Sequence, residues 1–309
     1  MHGKTACELT SREAQEGSAT GTVRLGSGRR TVLMRSGVGA AGHIVQRSDL
    51  TSHRVVVDQA SLILVEEGRK RIRWSGGECV ASPGEALSLH AGEVVDISNT
   101  PGRSGTYRAL WICWCSELLA APSSAVRRRS SPRVALHAKL GEAFHASFYR
   151  AFDGLSDSDG LPASIATSRL QEVLLWLGER GFHFPPPMPA SLGQEVRRLL
   201  SSDPSADWSM EQVARETATS IPTLRRKLAA EGVAFRDLVH DVRMSHALSL
   251  LQNTDTPVLH VALATGYASA SRFSARFRAR FGYLPTDIRG QSRGRAGSPI
   301  KSHRTPGAR

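Results

Sequence analysis

The chain has 309 residues, of which 40 are Lys or Arg and 28 are Asp or Glu, so its formal net charge is +12. This length allows about two domains, and the hydrophobic content of 40% is enough for apolar cores. No window of the sequence approaches the length of uncharged apolar chain that a membrane span needs, and the polar N-terminal residues do not resemble a secretory signal. Four cysteines do not make a disulfide framework in a chain of this size. We therefore expect a cytoplasmic protein with free thiols and a polyanionic partner.

The basic excess is concentrated in the C-terminal part of the chain. Residues 191–309 hold 18 basic and 10 acidic residues, a net charge of +8, whereas residues 1–190 carry +4. Part of the excess lies in residues 290–309, where the basic residues stand among Gly, Ser and Pro. This composition predicts a disordered tail, which is either simply solvated or makes nonspecific phosphate contacts. Residues 1–28 are polar and aperiodic, and we predict that they are disordered as well.

Short apolar runs alternate with turns rich in Gly, Pro and Ser between residues 31 and 116. The runs predict short strands at Val55–Val57, Leu62–Val65, Ile72–Trp74, Ala86–Leu89 and Val94–Ile97. Tyr107–Trp114 is apolar on both faces, which predicts a central strand. Strands at this spacing suggest a small barrel or sandwich.

The apolar period changes to that of a helix between residues 134 and 181. One stripe consists of Leu136, Leu140, Phe144 and Phe148, and a second consists of Leu170, Val173, Leu174 and Leu177. Four prolines within residues 185–190 forbid a helix and favour a stiff extended linker. We therefore divide the ordered chain into a domain of residues 29–184, a linker of residues 185–190 and a second domain of residues 191–289.

The second domain is predicted to be helical and contains an internal repeat. The first copy reads VARETATS followed by TLRRKL (213–228), and the second reads VALATGYAS followed by SRFSARFR (261–278). Each copy has an alanine within a short helix, a small residue at a turn, a Ser able to cap a helix and then a basic helix. This order is typical of a helix-turn-helix, in which two short helices meet across a tight turn.

A helix-turn-helix presents its second helix to a partner, and an α-helix fits the major groove of duplex DNA. In the first copy, Arg225 and Arg226 are expected to face outward while Leu224 and Leu228 face the core. A connecting helix of about 18 residues is roughly 27 Å long. Such a spacer suits two recognition helices in successive major grooves, roughly 34 Å apart. The repeat therefore predicts that double-stranded DNA is the polyanionic partner.

Residues 192–289 resemble the DNA-binding domain of AraC/XylS-type transcriptional regulators. The second copy carries the family pattern most fully, with matches at Val261-Ala262, Gly266-Tyr267, Ser269, Ser271, Phe273-Ser274, Phe277-Arg278, Gly282, Pro285 and Arg289. Ala275 stands where the family commonly has Arg, and Ile288 stands where it has an aromatic residue. The first departure calls into question a base or phosphate contact from position 275. Arg272 and Arg276 are the possible substitutes, although each projects from the helix in a different direction.

The resemblance implies roles for residues on both recognition helices. Ser220 and Ser269 would cap the helices and touch phosphate. The other implied DNA-binding residues are Pro222, Thr223, Arg225, Arg226 and Lys227 in the first copy and Ala270, Ser271, Arg272 and Arg276 in the second. The alternative for Arg225 and Arg226 is a solvated helix face, and for Lys227 solvation or a phosphate contact is favoured over base reading.

The resemblance also implies that residues 29–184 form a cupin-like regulatory and dimerisation domain. The fold class is then α+β multidomain, with a cupin-like β-barrel and helices followed by an all-α domain with two helix-turn-helix units. Residues 82–92 resemble the cupin Pro-Gly turn. His43, His53 and His90 are scattered, without a His-x-His pair, so we expect no metal and no cofactor. The aromatic residues of the strands are expected either to pack the core or to line a ligand pocket.

Three functions follow from these observations. We expect a sequence-specific transcriptional regulator that is not an enzyme. The family resemblance implies that it is an activator and that it contacts RNA polymerase. Its effector would be an unknown small molecule or protein, and the helical stripes fit either a homodimer interface or packing on the barrel. The alternative is a cupin-type metal-dependent enzyme with an accessory DNA-binding domain, which stoichiometric iron would support. A third possibility is a nonspecific architectural DNA binder, which would show no preference for a cognate promoter.

Overall fold

The computed structural model describes residues 22–25, 32–120, 131–156, 160–186 and 191–290. Within these ranges, strands dominate the N-terminal part and helices the C-terminal part, as the sequence predicts. No helix in the described ranges is long and apolar enough to cross a membrane. Residues 187–190 of the predicted linker and residues 291–309 of the predicted tail lie outside the described residues.

The described strands form two antiparallel sheets. They are β1 (Thr22–Leu25), β2 (Val32–Arg35), β3 (Gly39–Gln46), β4 (Leu50–Val56), β5 (Ser61–Glu67), β6 (Arg69–Trp74), β7 (Gly77–Ala81), β8 (Ala86–Leu89), β9 (Val94–Thr100), β10 (Tyr107–Trp114) and β11 (Val134–His137). The larger sheet has the order β1-β2-β3-β10-β5-β8-β11, and the smaller has the order β4-β9-β6-β7. Strand β10 pairs with β3 on one side and β5 on the other, which confirms the predicted central strand.

An apolar core fills the space between the two sheets. On β6, the side chain of Ile72 is fully buried while Arg71 and Arg73 are exposed, as the period of two in a strand requires. The residues of this core are Ile44, Ile63, Val65, Ile72, Ala81, Leu87, Leu89, Val95, Tyr107, Ala109 and Val134. Because they come from both sheets, the N-terminal half is a two-layer β structure.

Two predictions from the sequence are wrong in this half. Thr22–Leu25 lie in the segment predicted to be disordered, yet they form β1 and pair with β2. Leu136 lies in β11, opposite Leu87 of β8, instead of beginning a helix. A spacing of four residues between apolar side chains fits one face of a strand as well as one face of a helix, and the helical part of this stripe begins with Phe144 in the helix that starts at Glu142.

Three helices follow β10: α1 (Ser116–Ala120), α2 (Glu142–Gly154) and α3 (Ala163–Glu179). The two predicted stripes on α2 and α3 pack against the larger sheet, and their buried members are Phe144, Phe148, Leu170, Val173 and Leu177. Trp114 of the sheet donates a hydrogen bond to the carbonyl of Leu170 at 3.1 Å. Of the two roles left open for these stripes, the structure shows packing on the sheet.

His90, one of the scattered histidines of the N-terminal half, is buried. It is 7% exposed, and its ring lies 5.4 Å and 5.7 Å from the rings of Phe182 and Phe184. Burial among these aromatic rings lowers the pKa of His90, and Arg133 lowers it further. Within the described residues, no group of three or more His, Cys, Asp or Glu side chains is arranged to hold a metal ion.

The C-terminal half is helical. Its elements are α4 (Leu192–Ser202), α5 (Met210–Glu216), α6 (Ile221–Ala230), α7 (Phe235–Asn253), α8 (Val258–Ala264), α9 (Ala270–Phe281) and a final 3-10 turn (Pro285–Arg289). Helices α4, α5 and α6 bury their apolar side chains against the first part of α7, and α8, α9 and the final turn do so against its second part. The two cores share no residue, so α7 is the element common to both.

The second of these helical cores rests directly on the sheets. Leu50 at the start of β4 packs against it. The hydroxyl groups of Ser52 and Tyr283 lie 2.6 Å apart, and the Trp111 indole donates to Asn253 at the end of α7 across 3.1 Å. The strand-rich half therefore contacts the part of the helical half that contains the second repeat.

Lys70 is an unusual member of the core between the sheets. Its side chain is 1% exposed, and its Nζ donates to Asn99 Oδ1 at 2.8 Å and lies 5.4 Å from the ring centroid of Tyr107. Burial lowers the pKa of Lys70 to about 7, because low polarity disfavours the ammonium form, and no carboxylate of the described residues pairs with it. The folded chain thus binds a proton at this site less readily than the unfolded chain.

We predict that Lys70→Met stabilises the fold, because it removes a buried ammonium group that no carboxylate of the described residues neutralises. The expected gain in unfolding free energy is about 1–4 kcal/mol at pH 6. The gain should shrink as the pH rises through the range from 7 to 10.5, since the lysine then becomes neutral in both states. Urea unfolding at pH 6 and pH 9.5 measures the difference. Arg69→Met, on the exposed face of the same strand, is the control and should show no such pH dependence.

Candidate nucleic-acid interface

The first repeat folds as two short helices joined by a tight turn. Ser209 caps α5 in a reciprocal capping box, in which its Oγ accepts from Gln212 N at 3.1 Å and its N donates to Gln212 Oε1 at 2.8 Å. Ser220 caps α6 by accepting from Thr223 N at 3.3 Å, and Pro222 stands in the first turn of that helix. The predicted cap at Ser220 is therefore confirmed.

The turn of the first repeat has a defined backbone conformation. Thr217 Oγ1 donates to the carbonyl of Val213 at 2.8 Å, and Thr219 N donates to the carbonyl of Ala214 at 2.9 Å. Between them, Ala218 has a φ of +49°, which is a costly left-handed conformation for a residue with a Cβ atom. This single left-handed residue redirects the chain from α5 into α6.

The second repeat uses the same turn with a glycine. Thr265 Oγ1 donates to the carbonyl of Val261 at 2.8 Å, Tyr267 N donates to the carbonyl of Ala262 at 2.9 Å, and Gly266 has a φ of +75°. Ser269 Oγ then accepts from Arg272 N at 3.3 Å and caps α9. The two repeats are therefore equivalent position by position from the first helix to Thr219 and Tyr267, and the second repeat has one additional residue, Ala268, before its N-cap.

Each repeat buries the apolar side of its second helix and leaves the other side open. Leu224 and Leu228 of α6 and Phe273 and Phe277 of α9 are each at most 1% exposed. The implied DNA-binding residues that are exposed are Ser220, Pro222, Arg225, Arg226, Lys227, Ser271, Arg272 and Arg276, and those that are half-buried are Thr223, Ser269 and Ala270. The structure thus brings the first five exposed residues together on α6 or its cap and the other three on α9.

The arginines of the helical half fall into two groups. Among the described residues, no hydrogen bond or salt bridge engages the side chains of Arg225, Arg226, Arg272 and Arg276. By contrast, Arg243 donates to the carbonyls of Pro204 and Ala206 at 3.1 Å and 2.9 Å. The first group is available to a ligand, whereas Arg243 is committed to the fold. The sequence pattern gave no signal for this division.

Tyr267 anchors the second turn to α7. Its Oη lies 3.1 Å from His240 Nδ1, and its ring lies 5.7 Å from that of Phe273. Burial lowers the pKa of His240, and the nearby Arg276 lowers it further. A neutral imidazole therefore bonds the tyrosine hydroxyl beside the arginine on the exposed face of α9.

Comparison with known proteins concerns mainly this helical half. Residues 213–291 match the family described as helix-turn-helix domain. The urease operon transcriptional activator of Escherichia coli is 35% identical over 100 residues, which are 32% of this chain and 34% of that protein. The ornithine utilization regulator of Pseudomonas aeruginosa is 40% identical over 94 residues, 30% of this chain and 28% of that protein. The chain thus aligns with about a third of the length of the curated relatives it matches.

Solved structures extend the likeness to the whole fold. The apo form of a singly substituted ToxT from Vibrio cholerae has a TM-score of 0.59 at 13% identity and matches 85% of this chain and 98% of that one. Wild-type ToxT from the same organism with an unsaturated fatty acid bound has a TM-score of 0.57 at 15% identity, over 81% and 94% of the two chains. At these identities the likeness shows the fold, a sheet-rich N-terminal domain joined to a helical C-terminal domain with helix-turn-helix units.

The two turns yield opposite predictions for matched substitutions. Ala218→Gly should raise the unfolding free energy by about 0.5–1 kcal/mol, because glycine adopts the left-handed conformation without the Cβ penalty. Gly266→Ala should lower it by about 2 kcal/mol, since an added Cβ would lie 2.9 Å from Arg243 Cζ and 3.0 Å from the carbonyl oxygen of Ser205. Both changes in unfolding free energy are measured by urea unfolding, with circular dichroism as the signal.

Gly232→Ala is the control for the conformational part of this effect. Gly232 also has a positive φ, +72°, but an added Cβ would meet nothing within 4 Å. Its loss of stability should be smaller than that of Gly266→Ala. Equal losses would show that the contacts around Gly266 do not contribute.

Proposed function

We propose that this chain, whose residues 213–291 match a helix-turn-helix domain family, is a sequence-specific DNA-binding transcriptional regulator of the AraC type. The observation that carries the proposal is the pair of equivalent helix-turn-helix units. Each presents a capped helix whose outward face holds arginines that no hydrogen bond or salt bridge from the described residues engages. Surplus positive charge alone would be compatible with binding to any polyanion. Two such helices joined by one connecting helix are suited to binding duplex DNA in particular.

The first unit reads DNA through α6. Arg225 and Arg226 are exposed near the start of that helix, where a guanidinium can bond the O6 and N7 atoms of a guanine in two places. Ser220 and the N–H of Ile221, at the start of α6, lie where a phosphate is favoured. In this proposal Thr223 supports the same end, while Lys227 adds a phosphate contact.

The second unit reads DNA through α9. Ser271, Arg272 and Arg276 lie on its exposed face, and Ser269 and Ala270 form its first turn. Ala275 stands where the family commonly has Arg, and in this proposal Arg272 and Arg276 supply the positive charge instead. Helix α7 has 19 residues and is thus about 29 Å long, which fits two units addressing successive major grooves on one face of the duplex.

The N-terminal domain controls this activity in our proposal. Its contacts with α7 and with Tyr283 after α9 give an effector on the sheet-rich half a physical route to the DNA-binding half. The fatty acid bound to the similar ToxT structure supports a small-molecule effector over a protein one, without identifying its chemistry. We further propose an activator that contacts RNA polymerase, functions as a homodimer in the cytoplasm, and has no catalytic role.

Arg226→Ala tests the proposal directly. The target duplex is first selected by the wild-type full chain from a library of random-sequence duplexes. In a mobility-shift titration, the variant should bind the selected duplex about 5- to 150-fold more weakly, because a bidentate arginine–guanine contact is worth about 1–3 kcal/mol. Binding to random duplex should change far less, since this contact carries sequence preference.

The matched control is Arg103→Ala, which removes an exposed arginine from a loop of the N-terminal half. It should leave both affinities near the wild-type values. If the selection yields no preferred sequence, the chain is a nonspecific binder and the proposed function is wrong. Unchanged affinity and preference in Arg226→Ala would remove this residue from base reading.

A further inference from the structure

A single carboxylate joins the two helix-turn-helix units. Asp241 lies in α7 and accepts from Arg197 of α4 on one oxygen. Its other oxygen accepts from Arg280 of α9, with the Nε and Nη2 atoms at 3.1 Å and 2.9 Å. The three side chains are between 14% and 23% exposed, so solvent screens these ion pairs less than pairs on an open surface.

The N-terminal half takes part in the same junction. Arg280 Nη1 donates to the carbonyl of His53 at 2.7 Å, and Nη2 donates to the carbonyl of Arg54 at 2.8 Å. On the other side, Asp58 Oδ1 lies 3.7 Å from Arg197 Nη1. Arg280 therefore uses its planar fork of donors toward α7 and β4 at once, which an ammonium group cannot reproduce.

The carbonyl groups of His53 and Arg54 belong to a β-bulge in β4. The pairing of β4 with β9 shifts register between Ser52 and Val55, and Arg54 has a φ of +53°. Asp96 of β9 holds this bulge by accepting from Arg54 N at 2.9 Å. A hydrogen bond from Arg73 keeps the pKa of Asp96 well below its usual range, so this carboxyl stays ionised at neutral pH.

The two units pack on α7 through separate apolar cores, which have no residue in common. They also approach each other at the Gly266 turn, which lies against the carbonyl oxygen of Ser205 and the side chain of Arg243. The ion pairs from α4 and α9 to the Asp241 carboxylate add a link that runs from one unit to the other through side chains. Such a link constrains the mutual orientation of the units.

We infer that Asp241, Arg197 and Arg280 are positioning residues that set the angle between the two recognition helices, and that the β4 bulge held by Asp96 lets the N-terminal half adjust this angle. The inference rests on the proposed function, because the angle matters only for a duplex read at two places. The two recognition helices can enter two grooves together only at one mutual angle and spacing, whereas the binding of one helix to one groove does not depend on that angle. Loss of the junction should thus weaken two-site binding selectively.

The test compares duplexes that differ in the number and spacing of their sites. The wild-type full chain selects a duplex from a random-sequence library, and derivatives carry one scrambled element or one additional base pair between the elements. Asp241→Asn should bind the two-element duplex about tenfold more weakly, yet bind the one-element duplex within about twofold of wild type. The penalty that wild type shows for the additional base pair should shrink in the variant.

Further variants separate positioning from other roles. Arg280→Lys retains the positive charge, so it should behave like wild type if Arg280 touches phosphate and like Asp241→Asn if it positions the units. Asp96→Asn lies on the N-terminal half and should act in the same direction as Asp241→Asn. Asp237→Asn, an exposed carboxylate on α7, is the control and should change nothing.

A measurement without DNA makes the test independent of the proposed function. Spin labels at Ala229→Cys on α6 and Ala279→Cys on α9, both exposed positions, with Cys7 and Cys79 replaced by Ser, report the distance between the helices. The distance distribution should be narrow with Asp241 and broader with Asp241→Asn. Equal distributions, or equal losses on one- and two-element duplexes, would overturn the inference. A wild-type chain that prefers no sequence would overturn the proposed function alone, because the label distances still decide the angle.

Discussion

The helical half depends on one constraint, which is that two separate apolar cores are built on a single helix. Leu238 and Val242 of α7 belong to the first core, and Met244 and Leu251 belong to the second. Each helix-turn-helix is therefore packed as a unit of its own, with α7 as their common support. Polar contacts that run from one unit to the other, such as those of Asp241, then add to the orientation that packing on α7 gives.

The same constraint explains why the arginines of this half divide into two groups. Several fix chain ends whose carbonyls lack helical partners, as Arg243 does at Pro204 and Arg289 does at Thr254. Others, such as Arg226, lie on the outward helices, where no hydrogen bond or salt bridge from the described residues engages them. A net charge of +12 therefore overstates the charge available to a ligand, since part of it is used in holding the units together.

Local features of the fold could be predicted from the sequence, and non-local ones could not. The caps at Ser209, Ser220 and Ser269 depend on residues three positions away, so a short pattern is sufficient to predict them. The strand at Thr22–Leu25 and the buried ammonium of Lys70 depend on partners elsewhere in the chain. The candidate site shows the same limit, because the outward face of α6 follows from its period whereas the role of Asp241 requires knowledge of two distant arginines.

The contact between Trp111 and Asn253 has a practical consequence. This half-buried indole bonds across the boundary between the sheets and the end of α7, so its surroundings change if the two halves separate. An indole that loses such a bond and meets water emits light at longer wavelength. Once the other four tryptophans of the chain are replaced, Trp111 is thus an optical reporter of movement between the halves, at a position away from the outward faces of α6 and α9.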